Sequence, residues 1–359
     1  MPQPILYVAV TDHGFGHATR TAAIVARIQQ LCPEILVILA TTAPRWLLDS
    51  YIGGEFIHRP RGLDVGVVQT DSLTMDKAAT LEKLNEIRAR ERSLIAGEVN
   101  FIKQNRVGLV LADIPPIATQ IAAAAGIPCW MASNFGWDFI YRPWGAAFEE
   151  ISDWIGDCFR QCDRLFRLPF HEPMTAFPIV EDVGLTGGTP RYAVEELRSR
   201  FNLNTPIEQT ALLTFGGLGL AQIPYANLRR FPDWQFITFD RDAPELPNLL
   251  KIIDRHYRPV DLMPLCSRVI SKPGYGTFAE ACRLGVPIIS ITRDDFAEAQ
   301  MLLNGIQAHA HHRILSPADF FEGDWQFLLE PLSLPQSADL LPPDGNGAIA
   351  RAVVEYLNK

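Results

Sequence analysis

Short apolar runs alternate with helix-like segments along almost the whole chain, and this alternation limits the fold more than any other feature. In the first half, ILYVAV at 5–10 precedes a segment in which Ile24, Ile28 and Leu31 share one helix face, and ILVILA at 35–40 follows. Runs that are apolar at every position are typical of parallel strands buried on both faces. The pattern therefore predicts repeated βαβ units and an α/β fold.

The second half restarts the same alternation. Its five strand-like runs lie at 211–220, 234–239, 249–253, 268–272 and 286–291. Because 359 residues exceed one typical core, two domains are expected. Prolines and glycines cluster at 169–190. We predict an amino-terminal domain at 1–175, a linker at 176–190 and a carboxyl-terminal domain at 191–359, with the option that the final helix packs back on the first domain. Two doubly wound domains facing each other across a cleft are the simplest architecture.

Composition excludes several classes of protein. The chain has 32 basic and 41 acidic residues, a formal net charge of -9, which argues against a general nucleic-acid surface. No apolar run approaches the roughly 20 residues needed to span a bilayer. The amino terminus lacks a basic region followed by a cleavage site. We expect a globular, cytoplasmic protein with no nucleic-acid partner and no transmembrane segment.

The residues that could bind a metal do not form a recognisable metal motif. Six scattered cysteines fit reduced thiols better than a disulfide framework; they are Cys32, Cys129, Cys158, Cys162, Cys266 and Cys282. His309, His311 and His312 are explained by an exposed strand edge, and the Asp294–Asp295 pair lacks further ligands. We expect no metal site, no obligatory cation and no cofactor.

The segment TDHGFGHATR at 11–20 lies between the first apolar run and the first helix-like segment. Gly14 and Gly16 permit positive φ and leave bare backbone against a ligand. The free N–H groups of the following helical turn favour an anion. His13 and His17 are candidates for a base or a proton donor near neutral pH. The alternative is turn chemistry that any α/β protein needs between its first strand and first helix.

Two polar and aromatic segments follow other apolar runs. The first, at 60–76, contains Gln69 and Asp71 and precedes a charged helix. The second, at 133–144, contains Asn134, Trp137, Asp138 and Tyr141. Ligands of open α/β sheets bind at the carboxyl ends of strands, so both segments are candidate substrate walls. The alternative is that the aromatic side chains pack a domain edge.

Two glycine-bearing loops stand at strand ends in the second half. Gly216 and Gly217 belong to the loop that follows the apolar residues at 211–213, and SKPGYGT at 271–277 forms the second of these two loops. In the second loop the glycines admit a phosphate, Thr277 is expected to cap the next helix, and Glu280 is expected on its first turn, within reach of sugar hydroxyls. A capping box explains Thr277 and Glu280 equally well. Neither half contains GK[ST] or the spaced GxGxxG of dinucleotide-binding proteins.

Several stretches in one order resemble GT-B glycosyltransferases. The closest resemblance is to the glycosyltransferase-like amino-terminal half of plant and bacterial L-arabinokinases, and it runs almost from end to end. The stretches are HGFGHATR, GVVQTDSLTMD, SNFGWDFIY, GYGTFAEA, RDDFAEA and NGAIARAVVEYL. The resemblance implies a GT-B fold with two Rossmann-like domains.

The resemblance also implies roles for particular residues. PGYGTFAE is similar to the nucleotide-diphosphate signature of the peptidoglycan UDP-N-acetylglucosamine transferase. This similarity implies that Gly274, Gly276 and Thr277 contact the phosphates and Glu280 the ribose, and that Glu298 and Gln300 contact the donor sugar. The other residues predicted for the donor site are Gly216, Gly217, Lys272 and Tyr275. His17 matches the histidine of a first-loop GxGH motif that lies at the reaction centre of related transferases, and of a related UDP-sugar hydrolase that also has an arginine at the position of Arg20. The implied acceptor or first-loop residues are His13, Gly14, Gly16, Arg20, Gln69, Asp71, Asn134 and Trp137.

The function expected from the resemblance is metal-independent transfer from a nucleotide-diphosphate sugar, most simply a UDP-sugar, to a small-molecule or glycan acceptor. His17 is the candidate general base, and Asp138 is the substitute candidate for that role. The arabinokinase relatives continue into a sugar-kinase domain, whereas this chain ends at Lys359, so no kinase activity is expected. A nucleotide-sugar hydrolase and a non-catalytic sugar- or nucleotide-binding protein remain as alternatives. The nucleobase, the sugar and the acceptor stay open.

Overall fold

The computed structural model describes residues 3–71, 73–217, 219–220 and 222–359. The chain divides into two compact units. The first unit comprises Met1–Thr70, Met75–Gly187 and Pro342–Lys359, and the second comprises Asp71–Thr74 and Gly188–Leu341.

The described part of the first unit contains a sheet of seven parallel strands. In chain order they are β1 (Ile5–Val10), β2 (Leu36–Ala40), β3 (Ile57–Arg59), β4 (Leu109–Asp113), β5 (Cys129–Ser133), β6 (Arg164–Arg167) and β7 (Val180–Asp182). Their spatial order is β3-β2-β1-β4-β5-β6-β7, so the direction of strand addition reverses between β1 and β4. Such a reversal is the topological switch point at which open α/β sheets bind ligands.

Helices connect these strands, as the alternation in the sequence predicts. They are α1 (Gly14–Leu31), α2 (Arg45–Asp49), α3 (Lys77–Gln104), α4 (Ile117–Ala125), α5 (Trp137–Tyr141) and α6 (Glu149–Phe159), with short 3₁₀ helices at Arg142–Trp144 and Ala146–Phe148. The charged helix expected after 60–76 is α3, whose first turn is capped by Asp76 through a 2.8 Å hydrogen bond from the Ala79 N–H.

The second unit contains a sheet of six parallel strands among its described residues. They are β8 (Thr210–Thr214), β9 (Gln235–Thr238), β10 (Leu249–Lys251), β11 (Arg268–Ser271), β12 (Ile288–Ile291) and β13 (His312–Leu315). The spatial order is β10-β9-β8-β11-β12-β13, which places a second switch point between β8 and β11. All five residues of β8 are buried, consistent with helices on both faces.

The described part of the second unit contains five α-helices, and the longest of them has 13 residues. They are α7 (Val194–Arg200), α8 (Pro259–Leu262), α9 (Tyr275–Leu284), α10 (Ala297–His309) and α11 (Pro317–Phe321), with 3₁₀ helices at Ile207–Gln209, Tyr225–Arg230, Met263–Leu265 and Gln326–Leu328. One apolar cluster packs the face of the sheet on which Phe236, Ile270 and Ile289 are fully buried.

The last helix, α12 (Gly345–Leu357), belongs to the first unit and packs on α1. Its first turn is capped by the Asp344 carboxylate, which accepts a 2.9 Å hydrogen bond from the Gly347 N–H. Ile349 and Val353 are fully buried. The carboxyl-terminal segment therefore completes the hydrophobic core of the amino-terminal unit.

The structure differs from the sequence prediction mainly at short strands. β3, β6, β7 and β13 are three or four residues long and mix polar with apolar side chains, so no apolar run marks them. All three residues of β7 are exposed, and this strand lies inside 176–190, the range predicted as a linker. The two units divide at Gly187 and Gly188.

No helix within the described ranges combines the length and the apolar character needed to cross a membrane.

Candidate functional site

The switch point of the first sheet brings together the loop after β1 and the end of β4. Val10 pairs with Asp113, and the Thr11 N–H donates a 2.7 Å hydrogen bond to the Asp113 carbonyl oxygen. α1 then begins at Gly14, whose φ of +60° is a conformation that glycine adopts without strain. This turn places His17, in the first turn of α1, beside the end of β4.

His17 is held by a buried carboxylate. Its Nδ1 lies 2.8 Å from Asp113 Oδ1, and the two side chains are almost completely buried. Arg20 Nη2 is 2.9 Å from the same nitrogen, but its two hydrogens have acceptors in Asp113 Oδ1 at 2.6 Å and Ser133 Oγ at 3.0 Å. We therefore assign the proton on Nδ1 to the bond with Asp113. In this tautomer Nε2 carries the lone pair that a general base needs.

Asp113 stays ionised although it is buried. Burial alone would raise the pKa of its carboxyl group, but the Arg20 and His17 charges and hydrogen bonds outweigh burial and hold that pKa well below its usual range. Arg20 Nε and the Thr21 hydroxyl donate to Oδ2 at 2.6 and 2.9 Å. The carboxylate is thus a fixed negative charge next to the His17 ring, suited to stabilising an imidazolium.

Arg20 links this pair to β5. Its Nη1 donates to Asn134 Oδ1 at 2.8 Å, and Ser133 at the end of β5 accepts from Nη2. Since Arg20 and Asn134 are both buried, their contacts fix the geometry of the Asp113 carboxylate. Arg20 is therefore a positioning residue in this arrangement.

Aromatic rings enclose the His17 imidazole. The ring centroid of Phe135 lies 5.5 Å and that of Trp137 6.2 Å from that of His17. His13, the N-cap residue of α1, packs edge-to-face on Trp137 at 5.1 Å. The Trp137 indole nitrogen is buried, and its N–H group acts on the Asp64 carboxyl group, whose pKa it lowers.

The two histidines of the loop at 11–20 have different contacts, and its glycines differ from Gly66 in the space around them. His13 Nδ1 accepts a 3.2 Å hydrogen bond from the Val67 N–H, so its ring supports the chain at 66–67. A Cβ at Gly66 would lie 2.4 Å from His13 Cβ. By contrast, a Cβ at Gly14 or at Gly16 would meet no described atom within 4 Å. The open space expected for a ligand is therefore present at both glycines of this loop.

Asp138 is placed differently from His17. It lies in the first turn of α5, and its Oδ1 faces Gly136, where a Cβ would approach it to 2.3 Å. Burial raises the pKa of Asp138, and burial together with the Asp138 charge raises the pKa of Glu172 to about 6. Glu172 accepts hydrogen bonds from the Gly136 and Met174 N–H groups. The carboxylate that contacts His17 is that of Asp113.

A second buried carboxylate lies under the first loop. Asp64 accepts hydrogen bonds from the Thr11 hydroxyl and, at 2.9 Å, from the Asp12 N–H. Burial, reinforced by the Asp12 charge, raises the pKa of Asp64 to about 7. Asp64 therefore ties the loop at 60–76 to the turn that carries His17.

The switch point of the second sheet joins the loops after β8 and β11. A Cβ at Gly216 would lie 3.5 Å from Lys272 Cε, so the two loops are in contact. Gly274 is the N-cap residue of α9, which begins at Tyr275. The predicted donor residues Gly216, Gly217, Lys272, Gly274, Tyr275, Gly276 and Thr277 all lie in these loops or in the first turn of α9.

Lys272 is a buried cation. Burial lowers the pKa of its ammonium group to about 8, the Arg293 charge acts in the same direction, and the Glu298 carboxylate opposes both. Arg293 follows β12, and Glu298 lies in the first turn of α10. The loops after β11 and β12 thus bring two cations and one carboxylate together.

The expectations for Thr277 and Glu280 were wrong in their local geometry. The N-cap of α9 is Gly274, without a side-chain cap, because the helix begins at Tyr275, three residues earlier than expected. Glu280 is therefore in the second turn, where its Oε1 accepts a 2.7 Å hydrogen bond from the Gly188 N–H. Burial raises the pKa of Glu280 to about 7. This contact links α9 to the start of the second unit.

Three further predicted residues occupy more open positions. Gln300 is exposed and donates to Asn304 at 2.7 Å. Gln69 forms an isolated bridge with Met75. Asp71 groups with the second unit, where its Oδ1 accepts from the Leu73 and Thr74 N–H groups at 2.8 Å.

Comparison with known proteins gives one curated relative and many similar structures. No family model matches the chain. The relative is L-arabinokinase of Arabidopsis thaliana, 32% identical over 332 residues, which are 89% of this chain and 31% of the relative. The chain thus spans about a third of the length of the curated relative that it matches, and the resemblance to L-arabinokinases is confirmed.

The solved structures cover both units. UGT71G1 of Medicago truncatula, complexed with UDP-glucose, has a TM-score of 0.64 at 13% identity, with 99% of each chain covered. The calicheamicin glycosyltransferase CalG4 has a TM-score of 0.60 at 14% identity, with 100% of this chain and 95% of that chain covered. The chain has the GT-B fold. A putative UDP-N-acetylglucosamine 2-epimerase of Listeria monocytogenes is similar too, with a TM-score of 0.58, 14% identity and 98% and 95% covered.

The GT-B fold was predicted from the sequence, and that prediction is confirmed. Asp113, Ser133, Asp64 and Arg293 were missed as site residues. Asp113 and Ser133 are the last residues of β4 and β5, so a polar residue directly after an apolar run was the available signal. Asp64 and Arg293 lie in loops and carry no such signal.

No group of three or more His, Cys, Asp or Glu residues in the described ranges is arranged to hold a metal ion. His312 is buried in β13, while His309 ends α10. Six free cysteines are present, and Cys282 is the most exposed of them.

Proposed function

We propose that this chain is a glycosyltransferase that uses a nucleotide-diphosphate sugar, with His17 as the general base. The observation that carries this proposal is the bond between His17 Nδ1 and the buried, ionised Asp113, which leaves Nε2 as the basic nitrogen. A base oriented in this way, on a GT-B fold, suits deprotonation of an acceptor hydroxyl. The complex of UGT71G1 with UDP-glucose supports a UDP-sugar as the first donor to test.

The proposed step moves one proton and exchanges one bond. His17 Nε2 takes the proton of the acceptor hydroxyl while that oxygen attacks the anomeric carbon. The bond between this carbon and the diphosphate oxygen breaks, and its electron pair leaves with the nucleoside diphosphate. Asp113 stabilises the imidazolium that forms, and Arg20 keeps the carboxylate in place.

The second unit is proposed to bind the donor. The N-terminus of α9, which follows Gly274, presents backbone N–H groups to the diphosphate, and Lys272 adds a positive charge. Glu280 is the candidate for the ribose hydroxyls, and Glu298 with Gln300 for the sugar. These assignments follow from the implied GT-B roles and from the positions of these residues around α9 and the start of α10.

The first unit is proposed to bind the acceptor around His17. Gly16 leaves open space in the first turn of α1, and the buried Trp137 ring packs beside the imidazole and supports it. Asn134 and Arg20 are proposed to shape the polar part of this site, with Gln69 contributing from the loop at 60–76. Asp138 is proposed to have at most a secondary role.

Metal independence is part of the proposal. Lys272 and the α9 N-terminus are suited to offset the charge that develops on the leaving diphosphate. Transfer is then expected to continue in the presence of a chelator. The five buried thiols support the proposal of a reducing, cytoplasmic location.

A thermal-shift panel tests donor binding directly. UDP-, GDP-, dTDP- and ADP-sugars are compared, with nucleotide-linked L-arabinose included because the curated relative is named L-arabinokinase. A ligand at 100 times its dissociation constant stabilises the folded protein by about 2.7 kcal/mol, which a melting curve resolves. Binding of none of these donors would contradict the proposal. A hit that releases free sugar at the same rate with and without acceptors would identify a hydrolase instead.

A further inference from the structure

Arg293 is a buried arginine whose guanidinium is left partly unsatisfied. Its side chain is 7% exposed, and Nε and Nη2 have no hydrogen-bond partner among the residues that the structure describes. The guanidinium carbon lies 4.3 Å from the Phe296 ring centroid, so one face is covered. Two buried N–H donors without acceptors are costly unless a ligand supplies the acceptors.

Other buried arginines of the chain show the usual arrangement. Arg258 is 5% exposed and binds Asp261 through Nε at 3.0 Å and Nη2 at 2.7 Å. Arg20 binds Asp113 through two nitrogens in the same way. Arg293 therefore stands apart from the arginines whose role is to hold the fold.

The surroundings of Arg293 favour an anion. Lys272 lies in the adjacent loop after β11, close enough for the Arg293 charge to lower the pKa of its ammonium group, and the Glu298 charge acts on both cations. The Asp71 charge opposes the lowering of the Arg293 pKa. Asp71 Oδ1, however, accepts hydrogen bonds from the N–H groups of its own turn. Two cations at the ends of the neighbouring strands β11 and β12, beside the switch point of the sheet, are arranged for a ligand with several negative oxygens.

We propose that Arg293 and Lys272 form a diphosphate-binding pair, in which Arg293 donates Nε–H and Nη2–H to the phosphate oxygens. A planar guanidinium fork matches two oxygens of one phosphate, whereas Lys272 contributes a point charge. In the proposed transfer, both charges face the group that gains negative charge as the bond to the sugar breaks. This role rests on the proposed function, but diphosphate binding itself does not require turnover.

The test compares Arg293→Gln with Arg229→Gln by calorimetric titration of inorganic pyrophosphate, UDP and uridine. Arg229 is an exposed arginine of the same unit, so its replacement changes the net charge equally without touching the pair. We expect Arg293→Gln to weaken pyrophosphate and UDP binding by more than about tenfold and to leave uridine unchanged. Arg229→Gln is expected to bind all three ligands like the wild type, and Arg293→Lys to keep part of the affinity.

A melting curve without ligand separates this role from a structural one. Because Arg293 is buried with unpartnered N–H groups, Arg293→Gln is expected to melt at or above the wild-type temperature. Wild-type pyrophosphate and UDP affinity in Arg293→Gln, or no binding of either ligand by the wild type, would overturn the inference. If Arg293→Gln loses pyrophosphate binding while the wild type binds pyrophosphate but transfers no sugar, the anion pair is supported and only the proposed function is refuted.

Discussion

At the scale of single residues, the Asp113 carboxylate organises the first candidate site. It accepts hydrogen bonds from His17, Arg20 and Thr21. The three contacts come from one face of α1, so the carboxylate fixes both the tautomer and the direction of the imidazole. An acceptor hydroxyl near His17 would meet a base that the neighbouring carboxylate holds in a fixed orientation.

Replacing Asp113 by Asn tests this role. The amide removes the charge and can favour the wrong tautomer, so we predict a fall in kcat of roughly 10²–10⁴ with donor affinity unchanged. Asp138→Asn, the same change at another carboxyl of the first unit, is the matched control and is expected to lower kcat by less than about tenfold. Equal losses in the two variants would contradict the assignment of Asp113.

Glu280 predicts how stability depends on pH. Burial raises its pKa from 4.5 to about 7, so the protonated form contributes stability below about pH 4.5, and this contribution is lost as the pH rises through about 7. Glu280→Gln retains an acceptor for the Gly188 N–H without acquiring a charge. Urea unfolding should therefore show the variant more stable than the wild type at about pH 8 and little different at about pH 4.5. The same difference at both values would show that ionisation of Glu280 is not its cause.

At the scale of elements, the two switch points place the candidate sites at corresponding positions of their sheets. In each sheet, the site lies between the first strand and the strand that follows the reversal: β1 and β4 in one, β8 and β11 in the other. A strand, a glycine turn and a helix N-terminus meet at both. The glycines of the first turn have distinct tasks that substitution can separate.

Gly14 and Gly16 are predicted to respond oppositely to alanine. Gly14 has a φ of +60°, so Gly14→Ala should destabilise the fold by about 1–2 kcal/mol. Gly16 is helical and faces open space, so Gly16→Ala should stabilise it by up to about 1 kcal/mol while raising KM through the new methyl group. Denaturant unfolding and steady-state kinetics check both. A Gly16→Ala protein with unchanged KM would remove Gly16 from the acceptor site.

The final helix is the clearest case of an element whose partner is distant in sequence. Ile349 of α12 is fully buried in the first unit. Ile349→Ala should destabilise this unit by about 2–5 kcal/mol. Hydrogen exchange is expected to speed up in α1, on which α12 packs, and to stay unchanged in β11. Faster exchange confined to α12 would show that the helix does not stabilise the unit.

At the scale of the whole molecule, sequence patterns predicted the fold class because buried parallel strands are apolar at every position. β1, β2, β4 and β5 are recognisable on this ground, whereas the exposed residues of β7 give no such pattern. The His17 loop was also recognisable from its glycines. Its partner was not, because Asp113 is 96 residues away and reaches His17 only through the pairing of β1 with β4.

The most direct test of the account is nucleoside diphosphate release from the donor that binds best, measured with an acceptor panel in wild type, His17→Ala and His13→Ala. The account predicts acceptor-dependent release that falls more than about 100-fold in His17→Ala, with donor affinity retained, and less than about tenfold in His13→Ala. Unchanged release in His17→Ala would contradict the central claim that His17 is the general base.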